Sequence, residues 1–567
     1  MKTMQTIEKA KNPAFWQDVR EKEVYRVLRE ELATLWKTEC EDKPIVALPY
    51  SRFREYFING NRGGYQNYYY VRRRALSACA LLAMIYPEEE RYLVRLMDEI
   101  YAICDEYTWC LPAHYDRLER KDCHRIDLFA AETGFALAEI DAMLGDRLEP
   151  LIRQRIRQEV ERRIVLPYTK SAPYGEGEAL WWEQWQNNWI AVCTASVAGA
   201  FMLLYPELVP TWQNRFDAAM EQYLQGFRED GICEEGSAYW DYGFGFFVVY
   251  ADMVRDFSNG EIDYFKREKV KTIAMFLQKM FLTENCGVSF ADSGSKLLYR
   301  LGTAHYLKNE YPDDVVVYSP KYSQRYDGCG RFCLHLRSAL WLDEKIYNSG
   351  EAFPSAAYYA KETQWLVKRT VSYGFAAKGG NNGEFHNHND VGSFIFAKNG
   401  RQLLADLGSG TYSKQYFSAE RYTIAECSSR SHSVPIVNGQ LQRNGKEYCA
   451  CNTSFENEVF STDLAQAYGL PQLRSLRRSF RFEEDAVILT DQFAYEEEGT
   501  LTERFVTTLA PHIAGAGRLE IGDALLTYDP SFGTPCIHSE LGSTGRTYYC
   551  IDFELDKGVS TFSMRME

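Results

Sequence analysis

The stretch RSLRRSFRFEEDAVILTDQF, residues 474–493, alternates apolar with polar residues, turns on a run of acidic ones and resumes. A period of two sends alternate side chains to one face of a strand, so the segment reads as strand, acidic turn, strand. RLEIGDALLTY, residues 518–528, has the same form, with Gly522 and Asp523 between two alternating runs as a hairpin signal. This period dominates after about residue 325 and predicts an antiparallel β-sandwich over residues 326–567, with edges kept polar or charged.

Upstream the period changes. From about residue 15 to 310, apolar positions such as Leu93, Leu96, Met97, Ile100 and Ile103 fall on one face of a 3.6-residue repeat. Ile152, Ile156, Val160 and Ile164 form a second stripe, stopped at Pro167, and Trp212, Phe216, Met220, Tyr223, Leu224 and Phe227 a third. Connections containing Pro, Gly or Asp predict antiparallel helical hairpins through a first domain of residues 1–325. A ring, a solenoid and an irregular bundle bury the same stripes, so periodicity leaves all three open. The expected class is a multidomain α+β protein. With no long low-complexity linker between the halves, they are expected to pack together and share a cleft.

Composition narrows the function classes. A net charge of -15 argues against a nucleic-acid binder or a protein held on anionic membranes by a basic surface. It also repels an acidic ligand at long range, so a site for one must gather positive charge locally. The N-terminal MKTMQTIEKAKNPAFWQDVREKE has no apolar core of a secretory signal, and no segment is long and apolar enough to span a bilayer. A cytoplasmic location is the expectation, replaced by a periplasmic or secreted one if a signal has been trimmed. The 15 cysteines are odd in number, scattered and mostly set in apolar runs, as reduced core thiols would be.

Three clusters carry candidate chemistry. FHNHNDVGSFIFAKNGRQLLADLGSGTY, residues 385–412, sets His386 and His388 two apart, then Asp390 and Asp406, and His432 follows. His388, Asp406 and His432 offer two imidazoles and a carboxylate, a shell suited to one divalent metal, zinc by its ligand types, while His386 is left for proton transfer. DGICEEGSAYWDYGFGF, residues 230–246, groups Glu234, Glu235, Tyr239, Trp240 and Tyr242, a mixture of carboxylates and rings that suits a sugar cleft, although the segment taken alone favours ordinary core packing of the aromatics at a helix start. LWWEQWQNNWIAV, residues 180–192, sets Trp181, Trp182, Trp185 and Trp189 around Asn187 and Asn188, which cap a helix or donate to a carboxylate. Arg72, Arg73 and Arg74 read either as charge for an acidic substrate or as a solvated helix face.

The run from His386 to Tyr412, the later SHSVPIVNG, the EGSAYWDYG segment and the NNW segment, taken together, resemble the heparinase II/III-like polysaccharide lyases. The resemblance implies an N-terminal (α/α) toroid followed by a C-terminal antiparallel β-sandwich with the active site between them. It implies β-elimination on a uronate-containing acidic polysaccharide or oligosaccharide, with His386 catalytic and His388, Asp406 and His432 holding a structural metal. Tyr239 matches the family's site tyrosine, with Tyr242 as competitor, and Asn188 matches the asparagine facing the uronate carboxylate. Trp182, Tyr242 and Glu235 are the expected substrate contacts. Trp189 departs from relatives that carry histidine after that asparagine. A glycoside hydrolase using Glu234 or Glu235 and a non-catalytic glycan-binding protein are the alternatives, and a homo-oligomer is left open.

Overall fold

A computed structural model describes residues 4–115, 124–324, 327–350, 353–496, 499–555 and 559–566. The chain forms two compact units, each discontinuous: residues 1–226, 241–271 and 299–350 make the first, and residues 227–240, 272–298 and 351–567 the second. Sequence period marked a single change near residue 325. Compactness instead assigns the helix Phe332–Leu340 to the first unit and the segment carrying Glu234, Glu235 and Tyr239 to the second.

The first unit is helical. Leu128–Leu144 packs on Asn188–Leu204, and both are buried almost all round because they are apolar on every face. Their close approach depends on Gly199, where an added Cβ would stand 2.4 Å from the ring of Phe135. Amphipathic helices such as Glu90–Cys104 surround such pairs and turn Leu96, Ile100 and Ile103 inward. No helix among the described residues is long and apolar enough to cross a membrane. The described cysteines are all free and most are buried, as the sequence implied.

The second unit is antiparallel β. A five-stranded sheet covers Ala356–Ala360 to Arg401–Leu404, an eight-stranded sheet holds the 474–493 hairpin, and a four-stranded sheet contains Leu501–Thr507 and Thr547–Leu555. In the hairpin, Leu476 pairs with Phe493 and Phe482 with Val487, so the acidic residues form the turn as read from sequence. Ile521 pairs with Ala524 across Gly522, whose φ of 58° is the left-handed conformation a two-residue turn requires. Inner-face residues of all three sheets, among them Phe375, Phe394, Phe480, Leu489, Phe505 and Phe562, join in one core.

Arg478 breaks the apolar pattern of its face. Its guanidinium is fully buried and bonds Asp491 at 2.7 Å and Glu503 at 2.6 Å, which keeps the charge paired. Its remaining donors reach the carbonyls of Gly392 at 3.0 Å and Ser433 at 2.7 Å. Those carbonyls belong to the loops that carry His388 and His432, so a core ion pair fixes the loops of the candidate site.

Candidate active site and metal group

Within the β unit the site is organised around Asp292, in the segment VSFADSG after the strand Cys286–Gly287. The loop enters the left-handed region at Ala291, φ 59°, and is docked by bonds from Ser289 Oγ to the Asp406 carbonyl at 3.0 Å and from Ser409 N to the Ser293 carbonyl at 3.0 Å. Gly236, at φ 100°, lets the helical turn Ser237–Tyr239 lie against the same loop, since a Cβ there would meet Ser293 Oγ at 2.1 Å.

The Asp292 carboxylate is buried and accepts on both oxygens. Oδ2 takes His386 Nδ1 at 2.5 Å and the Tyr412 hydroxyl at 3.1 Å. Oδ1 takes His388 Nε2 at 3.1 Å, Arg421 Nη2 at 3.0 Å and the Tyr416 hydroxyl. Burial alone would raise its pKa, but the bonds from His386 and His388 and the charge of Arg421 hold it well below the ordinary carboxylate value. An ionised acceptor fixes the direction of its bonds. His386 therefore donates from Nδ1, which turns Nε2 away from the carboxylate toward Glu235 Oε2, 4.0 Å off. Tyr412 likewise donates to Asp292 and accepts from Tyr239, whose hydroxyl lies 2.7 Å away. Burial first, then the neighbouring Tyr239 and Asp292, raise the Tyr412 phenol well above its ordinary pKa and keep it a donor. The Tyr239 and His386 rings stack at 4.0 Å, and His386 is held at φ 54°, a conformation non-glycine residues adopt rarely.

Tyr239, His386 and Glu235 are thus brought together. Asp292, Tyr412, Tyr416 and Arg421 were not singled out from sequence. Asp292 stands far from the histidines in the chain, among small residues without charge pattern, and only its contacts reveal it. Tyr412 closed the quoted motif, which was the one available signal.

Behind His386 lies a group suited to a metal. His388, Asp390 and His432 each offer a ligand atom within 4.8 Å of the others, and all are buried. His388 Nδ1 and Asp390 Oδ2 have no hydrogen-bond partner among the described residues, which leaves both atoms available to an ion. Asp406 Oδ2 touches His432 Nδ1 at 3.0 Å, while its Oδ1 accepts from Gly408 N at 2.8 Å. Of the expected set His388, Asp406 and His432, the two histidines fall in this group, where Asp390 stands as the carboxylate with its other oxygen paired with Lys378 at 2.7 Å, and Asp406 meets the group through His432. Two imidazoles and two carboxylates fit a divalent ion such as zinc.

In the helical unit, Asn187 caps Asn188–Leu204 by accepting from Trp189 N at 3.1 Å, and Asn188 is buried in the first turn. Trp182 is fully buried with its indole bonded to the Ile126 carbonyl at 3.0 Å, so the substrate contact expected of it is corrected: it has no face to offer. Trp185, set edge-to-face against Trp181 and Trp189 and 37% exposed, is the most open ring of that group. Tyr242 is also buried, hydrogen-bonded to Glu132 under the Arg331 guanidinium, with burial and Glu132 raising its pKa well above the ordinary phenol value. Burial pushes Glu132 itself up to about 7. Arg72 and Arg73 are buried in ion pairs with Glu106 at 2.7 and 2.6 Å, so neither presents charge to a ligand.

A sequence profile of the heparinase II/III-like C-terminal domain matches residues 349–531. The chain carries a heparinase II/III-like C-terminal domain. Its fold is shared with solved structures at low identity. Heparinase III matches at a TM-score of 0.63 and 13% identity, over 98% of this chain and 88% of that one. A heparan sulfate lyase mutant from Pedobacter heparinus gives 0.59 and 14%, over 99% and 87%. The Streptomyces coelicolor A3 chondroitin AC lyase in complex with chondroitin sulphate gives 0.56 and 11%, over 99% and 82%. Among curated proteins no match was found. The chain thus has the multidomain α+β architecture read from its two periods, a helical (α/α) toroid with an antiparallel β-sandwich.

Proposed function

We propose that the heparinase II/III-like chain is a polysaccharide lyase, a carbon–oxygen lyase that cuts a uronate-containing glycan by β-elimination. The observation that carries this reading is the Tyr239–Tyr412–Asp292–His386 chain, with a phenol and an imidazole stacked at 4.0 Å. Elimination requires removal of the proton at carbon 5, departure of the oxygen at carbon 4 and protonation of that oxygen, leaving a double bond between carbons 4 and 5. His386 Nε2, freed by the Nδ1 bond to Asp292, takes the carbon-5 proton, and the Tyr239 hydroxyl, its proton swung from Tyr412 to the substrate, protonates the leaving oxygen. The resemblance assigns the uronate carboxylate to Asn188, whose amide would stabilise the charge that develops. The likeness to heparan sulfate and chondroitin AC lyases favours a glycosaminoglycan or its oligosaccharides as substrate.

Paired free carboxylates, the requirement of a hydrolase, find less support: Glu234 is engaged by Arg228 at 2.5 Å. Product analysis separates the readings. Incubation with heparan, chondroitin and simpler uronate polymers is expected to generate a conjugated unsaturated uronate that absorbs in the ultraviolet. Release of saturated sugars from every accepted polymer would overturn the lyase reading.

The metal, when bound by His388, His432 and the carboxylates of Asp390 and Asp406, supplies a structural tie between the loops that present His386. Zinc is the proposed ion. Elemental analysis of purified protein is expected to find about one equivalent at this group, lost in His388→Ala and His432→Ala. Unchanged metal content in both variants would remove the assignment.

A further inference from the structure

A second cluster lies on the four-stranded sheet, in the edge strand Cys536–Leu541 and its neighbour Thr547–Leu555. His538 pairs directly with Cys550, and Glu540 projects two residues along from His538 on the same face. His538, Glu540 and Cys550 each offer one ligand atom within 4.8 Å of the others. We propose that His538 Nε2, Glu540 and Cys550 Sγ form a second divalent-metal site, of the zinc class, that staples the edge strand to its neighbour.

The surroundings orient each ligand. Tyr548 donates to Glu540 Oε2 at 2.6 Å, and Glu540 Oε1 stands 3.5 Å from His538 Nε2. Asp552 Oδ2, 3.9 Å from His538 Nδ1, favours a proton there and leaves the Nε2 lone pair for a metal, the carboxylate–histidine arrangement common around zinc. Arg504 holds Asp552 with bonds of 2.7 and 2.6 Å, which neutralises the charge nearest the cluster. The Cys550 sulfur makes a long contact, 4.0 Å, to the Arg430 carbonyl. Coordination replaces the thiol proton: the S–H bond breaks, the sulfur lone pair forms the bond to the ion, and the proton passes to buffer. Three protein ligands leave a fourth position for water or an anion. The mixture of imidazole, carboxylate and thiolate selects a borderline-soft ion over magnesium or calcium. An edge strand pairs on one side alone, and a metal tie to the next strand holds it in register.

Cobalt(II) provides a test independent of catalysis. Metal-free full-length protein is titrated with cobalt, and thiolate ligation is read as a sulfur-to-cobalt charge-transfer band. The group at His388 contains no thiol and is silent in this band. The band is expected to saturate by two equivalents in the parent, where the group at His388 takes the other, silent ion, to saturate at one equivalent in His388→Ala, and to vanish in Cys550→Ser. His538→Ala, a partly exposed position that does not threaten folding, should weaken cobalt binding read in this band at least about tenfold. Absence of the band in the parent protein, or its persistence in Cys550→Ser or at parental affinity in His538→Ala, would overturn the proposal. Failure of the lyase assay would leave it standing.

Discussion

Tyr239→Phe is expected to lower turnover by about two to four orders of magnitude with little change in KM, and His386→Ala to do the same. The phenylalanine keeps the ring that stacks on His386 and removes only the hydroxyl that bonds Tyr412. A positioned acid or base acts mainly in the transition state, so its loss appears in kcat and not in substrate binding. In energy this is about 3 to 5 kcal/mol of lost transition-state stabilisation. Tyr412→Phe removes the acceptor behind Tyr239 and should cost less, because it acts through that hydroxyl. Steady-state kinetics on the best uronate polymer, with circular dichroism to confirm folding, gives the measurement. Folded Tyr239→Phe and His386→Ala proteins with near-parent activity, alongside inactive Glu235→Gln, would transfer the chemistry to a carboxylate and end the elimination reading.

The fold was largely legible because two periods announce it. The hairpin at 474–493 pairs in the register its alternation predicts, and helical stripes such as Leu96, Ile100 and Ile103 turn inward as drawn. Local pattern could not foresee where sequence neighbours part company. Residues 227–240 follow a helical stripe yet belong with the β unit, because compactness depends on long-range contacts and not on period. The site divides along the same line. His386 and His388, two apart, could be read directly. Asp292 could not, since a lone Asp among small residues carries no local signature. Trp182 shows the opposite failure, a ring whose composition suggested a sugar platform but whose burial makes it core. Arg478 lies on an apolar face where alternation predicts a hydrophobic residue, and only its bonds to Asp491, Glu503 and two loop carbonyls account for it.

Replacing Asp292 should damage both stability and catalysis, and the two effects can be separated. Asp292→Ala leaves Arg421 beside an empty site and deprives His386, His388, Tyr412 and Tyr416 of their acceptor. Breaking a buried ion pair in this way costs about 3 to 5 kcal/mol, which a denaturant titration should read as a lower midpoint. Asp292→Asn preserves volume and isolates the catalytic part. An amide has one accepting oxygen and one donating nitrogen, whereas the native group accepts on both sides. With its nitrogen toward Arg421, it sets donor against guanidinium and leaves the Arg421 charge unpaired. With its nitrogen toward His386, Nδ1 must accept, the proton moves to Nε2, and the base that should face the substrate is blocked. The second orientation is cheaper, so the folded asparagine protein is expected to lose about two to four orders of magnitude in kcat, as a histidine held in the wrong tautomer does elsewhere. Parent-level kcat in a folded Asp292→Asn protein would show that His386 does not depend on this carboxylate for its tautomer, and His386 would then have no claim to the base.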